Sequence, residues 1–105
     1  MKNLMKAVLT VLAFTLVFST WSLADGAADF KAKCAMCHGP DGKGDTSMGK
    51  TLKLRDLGSA EVQSQSDADL TGIITNGKGK MPKYDGKLTA DQIKDVVKYI
   101  RTLKH

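Results

Sequence analysis

Cys34-Ala35-Met36-Cys37-His38 decides how this chain can fold. Two thiols stand three residues apart, with an imidazole on the residue that follows. A helical turn gives them the span needed to add across the two vinyl groups of a porphyrin, forming two thioether bonds. His38 is then held under the iron, where its imidazole can be the proximal ligand. Read this way, C-x-x-C-H is the attachment site of one covalent haem c. The chain has only two cysteines and the motif uses both, so none remains for a disulfide. A thioredoxin-type dithiol would need a βαβ setting, and no β-rich run flanks the motif. A zinc site needs about four ligands, and two Cys with two His, one of them the terminal His105, make a poor set.

The N-terminus agrees with this chemistry. Lys2 and Lys6 form a basic start, and Ala7 to Phe18 is uncharged and free of Gly and Pro. Ser22-Leu23-Ala24 then places small residues one and three positions before a cut. This layout predicts a secretory signal peptide over 1–24, cleaved between Ala24 and Asp25. The apolar core is short of the ~20 residues of a membrane span, although Trp21 could extend it into an uncleaved anchor. Covalent haem attachment takes place outside the cytoplasm, so the expected location is the periplasm. Without Lys2 and Lys6, 14 basic residues face 11 acidic ones. Two haem propionates bring that balance close to neutral. The high pI is therefore no sign of nucleic-acid binding, and no basic run is interleaved with aromatics.

What remains is one domain over 25–105. So small a domain has a thin core and usually needs a staple. Its only aromatics are Phe30, Tyr84 and Tyr99, so the haem should supply the missing apolar mass. The pattern predicts an all-α fold. A helix from about Ala90 to Lys104 has Thr89 as N-cap and Gln92 completing a capping box. Its apolar face is Ile93, Val96, Val97 and Ile100, at i, i+3, i+4, i+7. A second helix spans about Asp67 to Asn76, with Ser66 as N-cap and Gly77 as its stop. A first helix from about Ala27 carries Phe30 into the haem motif. A short turn of helix is expected near Ala60 to Gln63, and no segment alternates like a strand.

Between the last two helices lies Gly77-Lys78-Gly79-Lys80-Met81-Pro82. Met81 stands on a loop able to reach the side of the iron opposite His38. Pro82 biases Met81 away from helical φ/ψ. Gly77 and Gly79 leave backbone free to approach a porphyrin. As rival sixth ligands, Met36 lies inside the motif, Met48 only ten residues past His38, and His105 at the terminus. The metal ligands read from the sequence are therefore His38 and Met81, with Cys34 and Cys37 holding the cofactor.

With these segments in view, the chain resembles the small bacterial class I c-type cytochromes. Gly26 and Phe30 match the N-terminal helix pattern of that family, and Val96 and Tyr99 the helix that crosses it. Cys-Ala-Met-Cys-His and Lys-Met-Pro match its two ligand segments. The resemblance implies three main helices wrapped around one His/Met-ligated haem. It also implies a monomeric electron carrier that serves redox partner proteins and is not an enzyme. One departure stands out. Members often carry Gly-Pro-x-Leu after the haem motif, its proline carbonyl orienting the proximal His; here Met48-Gly49-Lys50-Thr51-Leu52 has no proline.

Two other motifs are declined. Gly44 to Thr51 matches the P-loop pattern, but that mechanism requires a buried strand before it; no nucleotide binding is expected. Asp41-Gly42-Lys43-Gly44-Asp45 loosely resembles a calcium loop, but Lys43 stands where a ligand is required. Lys53 and Arg55 are candidates for the haem propionates, and serve equally well as solvated charges. Four lysines around Met81, at 78, 80, 83 and 87, suggest a positive rim that steers an acidic partner.

Overall fold

The structure, a computed structural model, describes residues 23–105. The expected leader lies outside them apart from its last two residues. The helices are α1 (Leu23–Lys33), α2 (Ala35–His38), α3 (Ser47–Leu52), α4 (Ala60–Gln63), α5 (Asp67–Asn76) and α6 (Ala90–Thr102). Among the described residues, β structure is limited to two isolated bridges, Lys78 with Met81 and Asp85 with Leu88.

Hydroxyls start most of these helices. Thr46, Ser59, Ser66 and Thr89 accept hydrogen bonds from the N–H groups of Gly49, Val62, Asp69 and Gln92. Each satisfies a donor that a helix N-terminus otherwise leaves unpaired. At α6 the Gln92 side chain also bonds back to the Thr89 N–H, completing the box.

The core forms where α6 lies across α1. Ile93, Val96, Val97 and Ile100 are all buried on one side of α6. Burying each such side chain is worth roughly 1.5–3 kcal/mol. Phe30 and Val96 are fully enclosed, and Tyr99 packs its ring on Phe30 with centroids 5.1 Å apart. Gly26 makes the crossing possible: a Cβ there would stand 2.3 Å from the Asp95 carbonyl oxygen. Gly26→Val should force the two helices apart and destabilise the protein by about 1–3 kcal/mol or more, read as a lower urea midpoint with little change in slope.

Polar ties hold the remaining segments to this crossing. The Arg101 guanidinium donates to the carbonyls of Gln63 (2.9 Å) and Gln65 (2.6 Å) and to the Asp67 carboxylate (2.8 Å). Gln63 Nε2 donates to the carbonyls of Leu57 and Ile100. The C-terminus folds back onto Gly58, whose carbonyl accepts from the His105 N–H, while the His105 ring meets Asp56 at 2.6 Å. The Gly58 N–H, more than His105, holds the Asp56 carboxyl below its usual range.

The expected helices near 60–63 and 67–76 appear with those bounds, and the last begins at Ala90 as expected but ends at Thr102. Two readings are corrected. The first helix starts at Leu23 rather than near Ala27, because Gly26, normally a poor helix residue, is retained inside it by close packing. Residues 47–52, expected as loop, form α3: Thr46 caps it, and Lys53 ends it in the left-handed region at φ 56°. Among the described residues no strand precedes α3, so the P-loop resemblance lacks its structural context there.

Candidate functional site

The Cys-x-x-Cys-His segment continues from α1. The Cys34 N–H donates to the Phe30 carbonyl at 2.8 Å, and the His38 N–H to the Cys34 carbonyl at 2.9 Å. The two cysteines are therefore one helical turn apart, unlinked to each other, with His38 a turn beyond Cys34. The following loop folds back and locks this turn. Thr46 Oγ1 donates to the Cys37 carbonyl at 2.6 Å and accepts from the Gly49 N–H at 2.8 Å. The Gly44 N–H donates to the His38 carbonyl at 2.7 Å. Gly49 must be glycine at this approach, since a Cβ would lie 2.4 Å from the Gly44 oxygen and 2.7 Å from that of Cys37.

Burial sets the protonation of the site. Desolvation, with smaller contributions from Asp29 and Cys37, pushes the Cys34 thiol up to about 11. Burial lowers the His38 pKa, so its imidazole is neutral at pH 7 and keeps a lone pair for a metal. His38 Nδ1 is buried with no hydrogen-bond partner. The proline carbonyl missing from the loop is thus not replaced by another acceptor among the described residues.

Met81 comes from a tight turn. Lys78 and Met81 exchange hydrogen bonds of 3.2 and 3.0 Å. Gly79 sits between them at φ 57°, while Lys80 has no positive φ, as in a type II′ turn. Gly77 is needed for a second reason: at φ 77°, its Cβ would be 2.7 Å from the Met81 oxygen. The two glycines thus shape the loop itself, beyond leaving room for a porphyrin. Tyr84 ties the loop down at both ends, its N–H donating to the Ile74 carbonyl and its hydroxyl to the Lys33 carbonyl at 2.8 Å.

These parts converge on one cleft with two lobes. The larger, about 350 Å³, is walled by Phe30, Leu70, Ile74, Val96 and Ile100, with Cys34, His38 and Met81 also on its surface. The smaller, about 230 Å³, adds Cys37, Leu52, Pro82 and Tyr84 and shares Cys34, His38 and Met81 with the first. The rival ligands stand elsewhere: Met36 and Met48 are 79% and 47% exposed, and His105 is engaged with Asp56. A flat apolar macrocycle with two reactive vinyl groups suits this cleft: it offers two free thiols, a neutral imidazole and apolar walls. The contributions of Thr46, Gly49 and Tyr84 were not foreseen. Thr46 carried a signal in its N-cap position; Tyr84 carried none.

Residues 22–100 match the family model described as cytochrome C oxidase, cbb3-type, subunit III. A cytochrome c6 of Nostoc sp. is 39% identical over 105 residues, covering 95% of this chain and 92% of the relative. The chain belongs to the small class I c-type cytochromes. Another relative, a cytochrome c6 of Synechococcus sp., is 41% identical over 106 residues, with 91% of each chain covered. Among solved structures, the KustC0563 c-type cytochrome superposes with a TM-score of 0.72 at 32% identity, covering 77% of this cytochrome and 99% of that chain. The helical architecture is that of the class I fold. This cytochrome holds haem c covalently, and its class is one of electron carriers rather than enzymes.

Proposed function

We propose that this cytochrome is a soluble periplasmic carrier of single electrons, with one haem c joined to Cys34 and Cys37 and with His38 and Met81 as axial ligands. The observation that carries this reading is the convergence of Cys34, His38 and Met81 on the same apolar cleft. When bound, the haem supplies one-electron chemistry between ferric and ferrous iron. The thiols of Cys34 and Cys37 fix its orientation. His38 offers a neutral nitrogen lone pair. The Met81 thioether, a soft ligand, favours the ferrous form and raises the potential. Phe30, Leu70 and Ile74 exclude water, which acts in the same direction by disfavouring the extra charge of the ferric state. With both axial positions filled by side chains, no place is left for a substrate. Optical redox titration of the holoprotein should give one transition that follows a one-electron Nernst curve. Two transitions would contradict a single haem.

The proposed leader is residues 1–24, so the mature chain begins at Asp25, in the first turn of α1. An acidic residue is favourable at that helix end.

The proposed partners are redox proteins that meet a monomer at the Met81 loop. Lys78, Lys80, Lys83 and Lys87 are exposed around that loop, and among the described residues none of the four forms an ion pair. Such a rim steers an acidic surface, mainly by raising the association rate. Reversing Lys80 and Lys83 to glutamate should slow electron transfer to an acidic partner, most at low ionic strength, and leave the potential almost unchanged. Rates indifferent to both salt and substitution would place docking on another face.

A further inference from the structure

We propose that Tyr84 is a positioning residue whose hydroxyl latches the Met81 loop to α1, slowing release of the thioether and so keeping small ligands off the iron; this rests on the His38 and Met81 reading above. The turn that carries Met81 is thinly held. At its start the Gly77 N–H donates to the Ile73 carbonyl at 2.8 Å. At its end the N–H groups of Tyr84 and Asp85 donate to the carbonyls of Ile74 (3.0 Å) and Thr75 (3.1 Å). All three acceptors belong to α5. Between these anchors, among the described residues, backbone bonding within 78–83 is confined to Lys78 and Met81 themselves. The loop backbone therefore hinges on α5 alone, whereas Cys34 and His38 continue from α1 on another wall of the cleft.

The Tyr84 hydroxyl joins the two walls by donating to the Lys33 carbonyl at 2.8 Å. That carbonyl is free for a reason. α1 ends at Lys33, and Cys34 departs from the regular ladder at φ −114° and ψ −32°. In an unbroken helix the Cys37 N–H would take the Lys33 carbonyl. Here the N–H groups of Cys37 and His38 both donate to the Cys34 carbonyl, at 3.2 and 2.9 Å. The turn that presents the thiols thus releases the acceptor that the ligand loop uses. Among the described residues, this is the one hydrogen bond joining residues 77–88 to residues 23–38.

Hydroxyl and ring can be tested separately. The ring lines the smaller lobe beside Cys34, Cys37 and Met81, and Lys87 Nζ lies 5.7 Å from its centroid. That cation contact stays within the loop and does not reach α1. Phenylalanine at position 84 would keep the ring and lose only the bond across to Lys33. Losing one hydrogen bond multiplies the open fraction of the loop by a modest factor. Such opening is a local event, distinct from global unfolding.

The test is the rate at which imidazole binds the oxidised holoprotein in a stopped-flow spectrometer. Imidazole reaches ferric iron only after Met81 leaves, so at high imidazole the rate reaches a ceiling set by thioether release. Tyr84→Phe should raise that ceiling roughly threefold to tenfold, with the far-red sulfur-to-iron band still present before imidazole is added. Lys87→Gln should leave it within twofold of the unsubstituted protein. A merely structural contact would lower the urea midpoint of Tyr84→Phe and leave the ceiling within twofold; that result would overturn the latch. So would a rise in Lys87→Gln as large as in Tyr84→Phe, because it would assign the effect to the ring. The band separates this proposal from the reading beneath it. Its presence with an unmoved ceiling counts against the latch alone, and its absence from the unsubstituted protein removes Met81 as ligand and the latch with it.

Discussion

Met81→Ala should lower the reduction potential by roughly 0.2 V, a quarter of the ~0.8 V range that axial ligands span, and let carbon monoxide bind the reduced protein. The expectation follows from where the other candidates stand. Met36 and Met48 point to solvent, and His105 is tied to Asp56. The Lys78–Met81 turn and the two Tyr84 bonds persist in the variant, because they use backbone atoms and the Tyr84 hydroxyl. The loop is therefore expected to keep its path while the thioether is lost, leaving a sixth position that water or a small gas can reach. A variant with unchanged potential and no carbon monoxide binding would assign the sixth ligand to another residue.

Replacing both cysteines should have the other large effect. Serine at position 34 would bury a hydroxyl in the core, at about 1–3 kcal/mol if unpartnered. The double alanine variant is therefore the cleaner test. With Cys34→Ala and Cys37→Ala, acid–acetone extraction should strip all haem from any protein recovered. The stripped chain should also lose most of its far-ultraviolet helical signal. The reason lies in the core: Phe30, Leu70, Ile74, Val96 and Ile100 all wall the cleft, so the haem would complete their packing. A chain with so little apolar surface of its own depends on the cofactor for stability. A haem-free variant with full helicity and a cooperative melt would show that the core stands alone.

Much of this was legible in the sequence, for identifiable reasons. α6 was readable because cap, capping box and apolar face all fall on one short stretch, from Thr89 to Ile100. The attachment turn was readable because its chemistry needs contiguous residues. α3 was not: its six residues are too short to show a period, and Met48, the large apolar residue in its first turn, faces solvent. The start of α1 was obscured by Gly26, whose value appears only when Asp95, far along the chain, is placed against it. Tyr84 and Arg101 act through backbone carbonyls distant in sequence, and carbonyls leave no trace in side-chain patterns. The unpartnered Nδ1 of His38 belongs to the same class: the absent proline was visible, but only the fold shows that no other acceptor takes its place.

The pairing of His38 with Met81 is the central claim, and the absorption of the oxidised holoprotein in the far red tests it most directly. Thioether sulfur bound to ferric iron gives a weak charge-transfer band there that nitrogen and oxygen ligands do not give. The expected result is that band in the unsubstituted protein and its loss in Met81→Ala, with the band unchanged in Met48→Ala. A band absent from the unsubstituted protein, or one that survives removal of Met81, would contradict the ligand set.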